Sequence, residues 1–252
     1  MSDADPTDPL APAGGTPADL SPRLLAAGQS GPVTSRRAGL RRVADATRTL
    51  IEDLVGTDAD EATISATADA LEHLVKAFDR DGPRSGYDGI AESAMAGADP
   101  SLFFDHSPLI GKANPLAPPI LIEVFDALVV GHVVFGSAYE GPPGCVHGGY
   151  VAAAFDEILG AAQTFSGSPG MTGTLTVRYR SPTPLHAPLR IEGRFDRKEG
   201  RKVFTTGQLF AGDRLCAEAE GLFISIDAER FMALRADRDA RQRSAAPPHP
   251  PA

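Results

Sequence analysis

Apolar residues recur at helical spacing in two stretches near the start of the chain. The segment GTDAD (56–60) interrupts the pattern and offers Asp58 or Asp60 as the N-cap of a second helix. Residues 36–79 are therefore predicted to form a helical hairpin of two amphipathic segments. The positions that define the two stripes are Leu40, Val43, Ala44, Thr47, Leu50, Ile51 and Leu54, followed by Ile64, Leu71, Leu74, Val75 and Phe78.

The pattern leaves three roles open for this hairpin. It could dock on the rest of the protein, mediate self-association, or lie on a membrane surface. The arginines of the first segment fit a membrane surface, whereas the acidic second segment argues against it.

From Pro119 onward the pattern changes to short apolar, β-branched runs, with one Ala-rich helical stretch from His147 to Thr164 among them. Two strands, one buried helix and four further strands predict an α+β fold, with the helix lying on an antiparallel sheet. The predicted strands are Ile120–Phe125, Leu128–Phe135, Gly173–Tyr179, Leu189–Arg194, Lys202–Phe210 and Leu215–Ser225, and the predicted turns are Asp126-Ala127, 181–184, Asp196–Arg201 and 211–213.

Proline and glycine mark the segments that lie outside these elements. Residues 1–35 and 236–252 show little apolar periodicity, and we predict a disordered lead and a disordered tail there. Residues 80–113 are predicted to be a loop or linker. The α+β domain is then expected to occupy residues 114–230.

Charge and cysteine content narrow the classes of function. The 252 residues carry a net charge of -9, with a pI near 5.1, which gives no bulk attraction to nucleic acid or anionic lipid. No apolar run reaches the roughly 20 residues of a membrane span, and the acidic start lacks the features of a secretory signal. The two cysteines, Cys145 and Cys216, exclude a disulfide framework and a zinc site of Cys pairs. We therefore expect a cytoplasmic protein with no metal and no cofactor.

Candidate chemistry concentrates in YEGPPGCVHGGYVAAAFDEILG (139–160), where His147-Gly148-Gly149 stands at the start of the predicted helix. The first N–H groups of a helix have no internal acceptor, so such a terminus can hold an anion or a developing oxyanion. Glycines at this point allow a substrate to approach the backbone closely.

Asp156 lies in the middle of the same apolar helix. A carboxylate there is costly unless it is paired, functional, or turned towards water, and the pattern leaves these alternatives open. Gly148 and Asp156 are eight residues apart, so about 12 Å separates them along the helix. They can meet at one carbonyl only if two antiparallel helices face each other across a two-fold axis, which predicts a dimer if Asp156 is functional.

These residues resemble those of the hotdog-fold acyl-CoA thioesterases, in particular the PaaI-like and "thioesterase superfamily member" group. The resemblance rests on His147-Gly148-Gly149, on Asp156 nine residues after the histidine, and on MTGTLTVRYRSPTPL (171–185), and it covers about 114–226. It implies a hotdog fold, in which an antiparallel sheet wraps around one long helix, and a homodimer or a dimer of dimers. It also implies an acyl-CoA substrate, hydrolysed in lipid metabolism.

The resemblance implies a role for each matching residue. Asp156 would act as general base or nucleophile, and Gly148 would donate its N–H to the thioester carbonyl. His147 would orient the helix start, Gly149 would allow close approach of the substrate, and Thr172 would hold water. Because coenzyme A carries phosphates, cations should surround the site, and the candidates are Arg178, Arg180 and Arg201.

Several alternatives compete with this interpretation. A hydratase of the same fold would need a histidine close to an acidic residue, and none follows the NPL at 114–116. A non-catalytic acyl-CoA-binding sensor would not need a buried carboxylate, and a scaffold would use the domain only to dimerise. Cys145 lies near His147 but lacks a base of the usual kind, and Glu157 should point about 100° away from Asp156.

Overall fold

The structure is a computed structural model that describes residues 33–78, 105–168 and 170–226, with a few single positions between 233 and 241. Nearly all of the predicted lead, most of the predicted tail and much of the predicted linker lie outside the described residues. The elements are α1 (Ser35–Val55), α2 (Glu61–Ala77), β1 (Leu121–Phe125), β2 (Leu128–Val133), a 3-10 turn (Ser137–Tyr139), α3 (Gly148–Ala162), a second 3-10 turn (Gln163–Ser166), β3 (Gly170–Tyr179), β4 (Leu189–Glu199), β5 (Lys202–Ala211) and β6 (Arg214–Ser225).

The six strands form one antiparallel sheet in the order β1-β2-β4-β5-β6-β3. Strand β3 therefore lies at an edge of the sheet, paired with β6 alone among the described strands. The predicted α+β class, with one helix packed on an antiparallel sheet, is confirmed.

Helix α3 packs on this sheet through an apolar stripe that includes the fully buried Phe155, Ile158 and Leu159. Small residues in the sheet allow the close approach, since Gly193 and Gly207 are direct neighbours in the β4–β5 register. A Cβ at Gly193 would lie 2.7 Å from the Ile158 side chain. Close packing of the core thus depends on glycines in the sheet as well as on large side chains in the helix.

Four strands match their predicted limits to within two residues, with β2 ending at Val133 rather than Phe135, whereas the two largest differences occur in strands that contain a bulge. Strand β4 continues to Glu199, so the predicted turn at Asp196–Arg201 is wrong and the chain reverses only at Gly200 and Arg201. The bulge lies between Phe195 and Arg197 and breaks the alternation that would have indicated a longer strand. Strand β3 likewise begins at Gly170 rather than Gly173, with its bulge at Gly173.

The two predicted N-terminal helices are confirmed. The Asp60 carboxylate accepts a hydrogen bond from the Thr63 N–H (2.8 Å), which selects Asp60 over Asp58 as the N-cap of α2. No residue of α2 is buried, and its apolar side chains, such as Leu74 and Val75, are exposed. None of the described helices combines the length and the hydropathy that crossing a bilayer requires.

Helix α1 docks on the domain through charged side chains. Arg37 and Arg41 both pair with Asp105, which is only 3% exposed. Two turns further along the helix, Arg48 donates to the backbone carbonyls of Lys112 (3.0 Å) and Asn114 (2.7 Å). Of the three roles that the sequence left open, docking on the domain therefore holds for α1.

Candidate active site

His147 closes the start of helix α3. Its Nδ1 accepts a hydrogen bond from the Gly149 N–H (3.0 Å), and its carbonyl accepts from the N–H of Tyr150 (2.9 Å). The preceding loop is fixed from two sides, since Val146 N donates to the Thr183 carbonyl (2.8 Å) and His147 N to the Tyr139 carbonyl (2.9 Å). The helix start is therefore held in place before any ligand arrives.

Gly148 leaves a donor at this helix start. Within the described residues, its N–H makes no hydrogen bond, whereas the N–H of Gly149 is capped by His147. The Gly148 carbonyl accepts from the Tyr179 hydroxyl (2.8 Å), and a Cβ at Gly148 would lie 3.2 Å from that hydroxyl oxygen. A side chain at position 148 would therefore press against the Tyr179 hydroxyl group.

Tyr179 was missed by the sequence reasoning. It is the last residue of β3, and side chains in a strand alternate between the two faces of the sheet. The sequence pattern could have indicated its position, because strand alternation places Tyr179 on the same face as Val177 and Leu175, which pack against the core.

Asp156 has one direct partner. Its carboxylate accepts a hydrogen bond from the Thr172 hydroxyl (2.8 Å), so the structure brings together two residues that the sequence singled out separately. Asp156 is half-buried and Thr172 is exposed, which leaves the carboxylate open to water on one side. The contact orients the carboxylate without neutralising its charge.

The β3 bulge places Thr172 opposite the helix. Thr172 pairs with Phe223 and Thr174 with Leu222, so Gly173 is the extra residue between two consecutive register positions. A bulge redirects the side chains beside it. The Asp156–Thr172 contact therefore depends on one inserted glycine as well as on the two residues themselves.

Glu157 is the second carboxylate of the helix and differs from its neighbour. Burial and, to a smaller extent, the negative charge of Asp156 together raise the pKa of Glu157 to about 7. It forms no salt bridge or hydrogen bond within the described residues. Near pH 7 the Glu157 carboxyl group is therefore only partly ionised.

One protomer does not bring all predicted groups together. His147, Gly148 and Gly149 lie at the first turn of α3, while Asp156 and Thr172 lie two turns further along. The edge strand β3 runs beside this second group and is largely exposed, with Met171 58% accessible.

The three predicted arginines have partners elsewhere. Arg178 pairs with Glu220 (2.5 Å) and Arg180 with Glu218 (2.7 Å). Both flank Tyr179 in sequence, so strand alternation turns them to the sheet face opposite to α3. Arg201 donates to a backbone carbonyl at the β4–β5 turn. Contact of these arginines with substrate phosphates stays a prediction.

Other chemistry is sparse at this site. Cys145 is partly exposed and makes no hydrogen bond through its thiol to a described residue. Among the residues that the structure describes, no group of three or more His, Cys, Asp or Glu side chains could hold a metal ion.

Comparison with known proteins identifies the class. The profile of the thioesterase superfamily matches residues 143–218, a range that includes the helix start and Asp156. A crystal structure of a thioesterase superfamily protein aligns with a TM-score of 0.65 and 35% identity, covering 74% of this chain and 90% of that chain. The chain therefore belongs to the thioesterase superfamily, and its fold is the hotdog fold.

Two named relatives match a little over a third of the chain each. The acyl-coenzyme A thioesterase THEM4 of Xenopus laevis is 41% identical over 93 residues, which is 36% of this chain and 42% of that protein. THEM4 of Bos taurus is 36% identical over 97 residues, 38% of this chain and 40% of that protein. The chain thus spans about two fifths of the length of the curated relatives it matches.

Proposed function

We propose that this protein hydrolyses acyl-CoA thioesters to a free acid and CoA. The observation on which the proposal depends is the Asp156 carboxylate, half-buried on the central helix and oriented by Thr172 at 2.8 Å. Membership of the thioesterase superfamily and the named activity of the THEM4 relatives support the same reaction.

In the proposed reaction, Asp156 acts as a general base on water. The carboxylate oxygen that does not face Thr172 accepts a proton from a water molecule, which attacks the thioester carbonyl carbon. The C–S bond then breaks, and the CoA thiolate takes up a proton to leave as thiol. General base catalysis of this kind contributes about 10²–10⁴-fold in rate. Direct attack by the carboxylate, followed by hydrolysis of the anhydride, is the alternative role of Asp156.

The Gly148 N–H is the proposed donor to the thioester oxygen. It lies at the positive end of the α3 dipole and makes no hydrogen bond within the described residues. His147 is a positioning residue in this scheme because its ring caps the helix and fixes the direction of that N–H. Gly149 leaves the approach to the helix start open.

Two copies of the chain are needed to assemble such a site. Gly148 and Asp156 are separated by about 12 Å along one helix, which is too far for both to act on one carbonyl. Strand β3 offers an exposed edge of ten residues beside Asp156. Pairing of β3 with the same strand of a second copy would place two α3 helices antiparallel, with Gly148 of one facing Asp156 of the other.

Substitution of Asp156 tests the catalytic proposal. Release of CoA thiol should fall by about 10²–10⁴-fold in Asp156→Asn, because the amide cannot accept a proton from water. Glu157→Gln is the matched control, since it removes a carboxyl group from the adjacent position and should retain most of the activity. Equal losses of activity in both variants would contradict the proposal. Tight acyl-CoA binding without hydrolysis by the unaltered protein would also contradict it, and would favour a non-catalytic acyl-CoA-binding sensor.

Mixed dimers test the two-copy site. Gly148→Pro removes the N–H donor and Asp156→Asn removes the base, so each variant alone should be inactive. A heterodimer contains one site that has neither substitution, and it should recover up to about half of the activity of one dimer. Absence of recovery in dimers shown to be mixed by mass spectrometry would place both groups in one chain.

A further inference from the structure

A cavity of about 280 Å³ lies between helix α1 and the first turn of helix α3. Helix α1 supplies one wall, and the loops before β1 and after β2 supply the others. Much of this lining lies outside residues 143–218, the range that matches the thioesterase superfamily. The residues used in the argument are Ile51, Leu116, Val134, Tyr139 and Tyr150.

The charged residues of the wall are already engaged. Arg48 donates to two backbone carbonyls, and the Glu52 carboxylate accepts from the Ser137 N–H (2.9 Å). Hydrogen bonds from the side chain and the backbone of Ser137 lower the pKa of Glu52, so the carboxylate stays ionised while it holds α1 in place. The groups that remain to contact a ligand are largely carbon.

Two tyrosines, Tyr139 and Tyr150, form the aromatic side of the cavity. The Tyr139 hydroxyl donates to the Leu116 carbonyl (2.9 Å), and burial raises the pKa of Tyr139 to about 12. Tyr139 and Tyr150 pack edge to face with ring centroids 4.8 Å apart. An aliphatic or aromatic hydrocarbon group fits such a lining better than a charged one.

Tyr150 joins this cavity to the candidate active site. It lies two residues after Gly148 in the first turn of α3, and its ring packs against His147 with centroids 6.4 Å apart. The same ring lines the cavity. A group attached to a carbonyl at the Gly148 N–H is therefore next to the cavity.

The volume limits the size of that group. An apolar cavity of roughly 150 Å³ holds one benzene molecule, so about 280 Å³ corresponds to an acyl group of roughly eight to twelve carbon atoms, or to a substituted phenyl ring.

We propose that this cavity receives the acyl group of the thioester and that Ile51 of helix α1 is a specificity-determining residue. The proposal rests on the proposed function, because it assumes that an acyl-CoA binds at the start of α3. It assigns to α1 the selection of the acyl group, together with Leu116 and Val134, which also line the cavity.

Binding of S-alkyl-CoA thioethers tests the proposal without requiring hydrolysis. Calorimetry with the ethyl, hexyl and decyl thioethers should show affinity rising with chain length in the unaltered protein. Ile51→Trp fills the cavity, so the affinity for the decyl thioether should fall by about tenfold or more while that for the ethyl thioether changes little. Leu54→Trp is the matched control, because Leu54 is an exposed residue of the same helix that does not line the cavity.

Ile51→Ala gives a second, opposite measurement, since it enlarges the cavity and should raise the ratio of decyl to ethyl affinity. Equal effects of tryptophan at 51 and 54 overturn the inference. An unchanged ratio in Ile51→Ala also overturns it, and this ratio can be measured even if Ile51→Trp does not fold. If the unaltered protein hydrolyses no acyl-CoA while the ratio depends on residue 51, the acyl cavity stands and the catalytic proposal fails.

Discussion

Helices α1 and α3 both lie on the sheet domain, yet different forces hold them. Seven residues of α3 are buried and all are apolar, whereas the buried residues of α1 are Arg37 and Ala44. Helix α3 is fixed by close packing on small residues of the sheet, and α1 by ion pairs and hydrogen bonds to loop carbonyls. Burial of apolar surface stabilises helix α3. Helix α1 depends instead on a few polar partners that must all be present.

Loss of Asp105 is expected to have the largest effect on this comparison. Asp105→Asn removes the buried carboxylate that both Arg37 and Arg41 contact, which should weaken docking of α1 by about 3–5 kcal/mol. Amide hydrogen exchange would check this, because protection in α1 should fall by about 10²-fold or more while α3 stays protected. A parallel loss in both helices would show that they unfold as one unit.

A pH-dependent effect is expected at Glu157, because burial raises the pKa of its carboxyl group. The folded state favours the protonated form, so the contribution of Glu157 to stability is present below its ordinary pKa of 4.5 and is lost as pH rises through about 7. Glu157→Gln removes that loss. Relative to the unaltered protein, its free energy of unfolding in urea should therefore rise by up to about 3 kcal/mol between pH 5 and pH 8. The same difference at both pH values would contradict the raised pKa.

A single added methyl group should have opposite signs in the two regions. Gly193→Ala places a Cβ against Ile158 at 2.7 Å and should destabilise the domain by about 1–3 kcal/mol. Gly39→Ala lies in α1 with no atom within 4 Å of the new Cβ, so higher helix propensity should stabilise α1 by about 0.5–1 kcal/mol. Urea unfolding would measure the first and hydrogen exchange the second. Changes in stability of the same sign in both variants would contradict the difference in packing between the two regions.

The sequence predicts much of this architecture because local patterns determine it. The apolar stripe of 147–164 and the alternating runs after Pro119 correspond to α3 and the six strands. The limits of β3 and β4 could not be predicted, since each contains a bulge that interrupts alternation. A bulge follows from pairing with a neighbouring strand and has no short-range pattern of its own.

The candidate site shows the same division. His147, Gly148 and Asp156 stand within one helix, so their spacing could be read directly. The docking of α1 could not be predicted from the sequence, because Asp105 is more than sixty positions away from the arginines it contacts. Only the folded arrangement shows that an acidic residue of the predicted linker holds an N-terminal helix.

The bulge at Gly173 also provides a way to sort related sequences. An inserted residue shifts the alternation of side chains between the two faces of the strand by one position. The residue that contacts Asp156 is therefore determined by the number of residues in the strand as well as by their chemistry. A relative that retains the histidine, the glycines and the aspartate but lacks the inserted position would turn a different side chain towards the carboxylate. Chain length between Asp156 and the end of β3 is therefore a diagnostic in its own right, readable from an alignment gap.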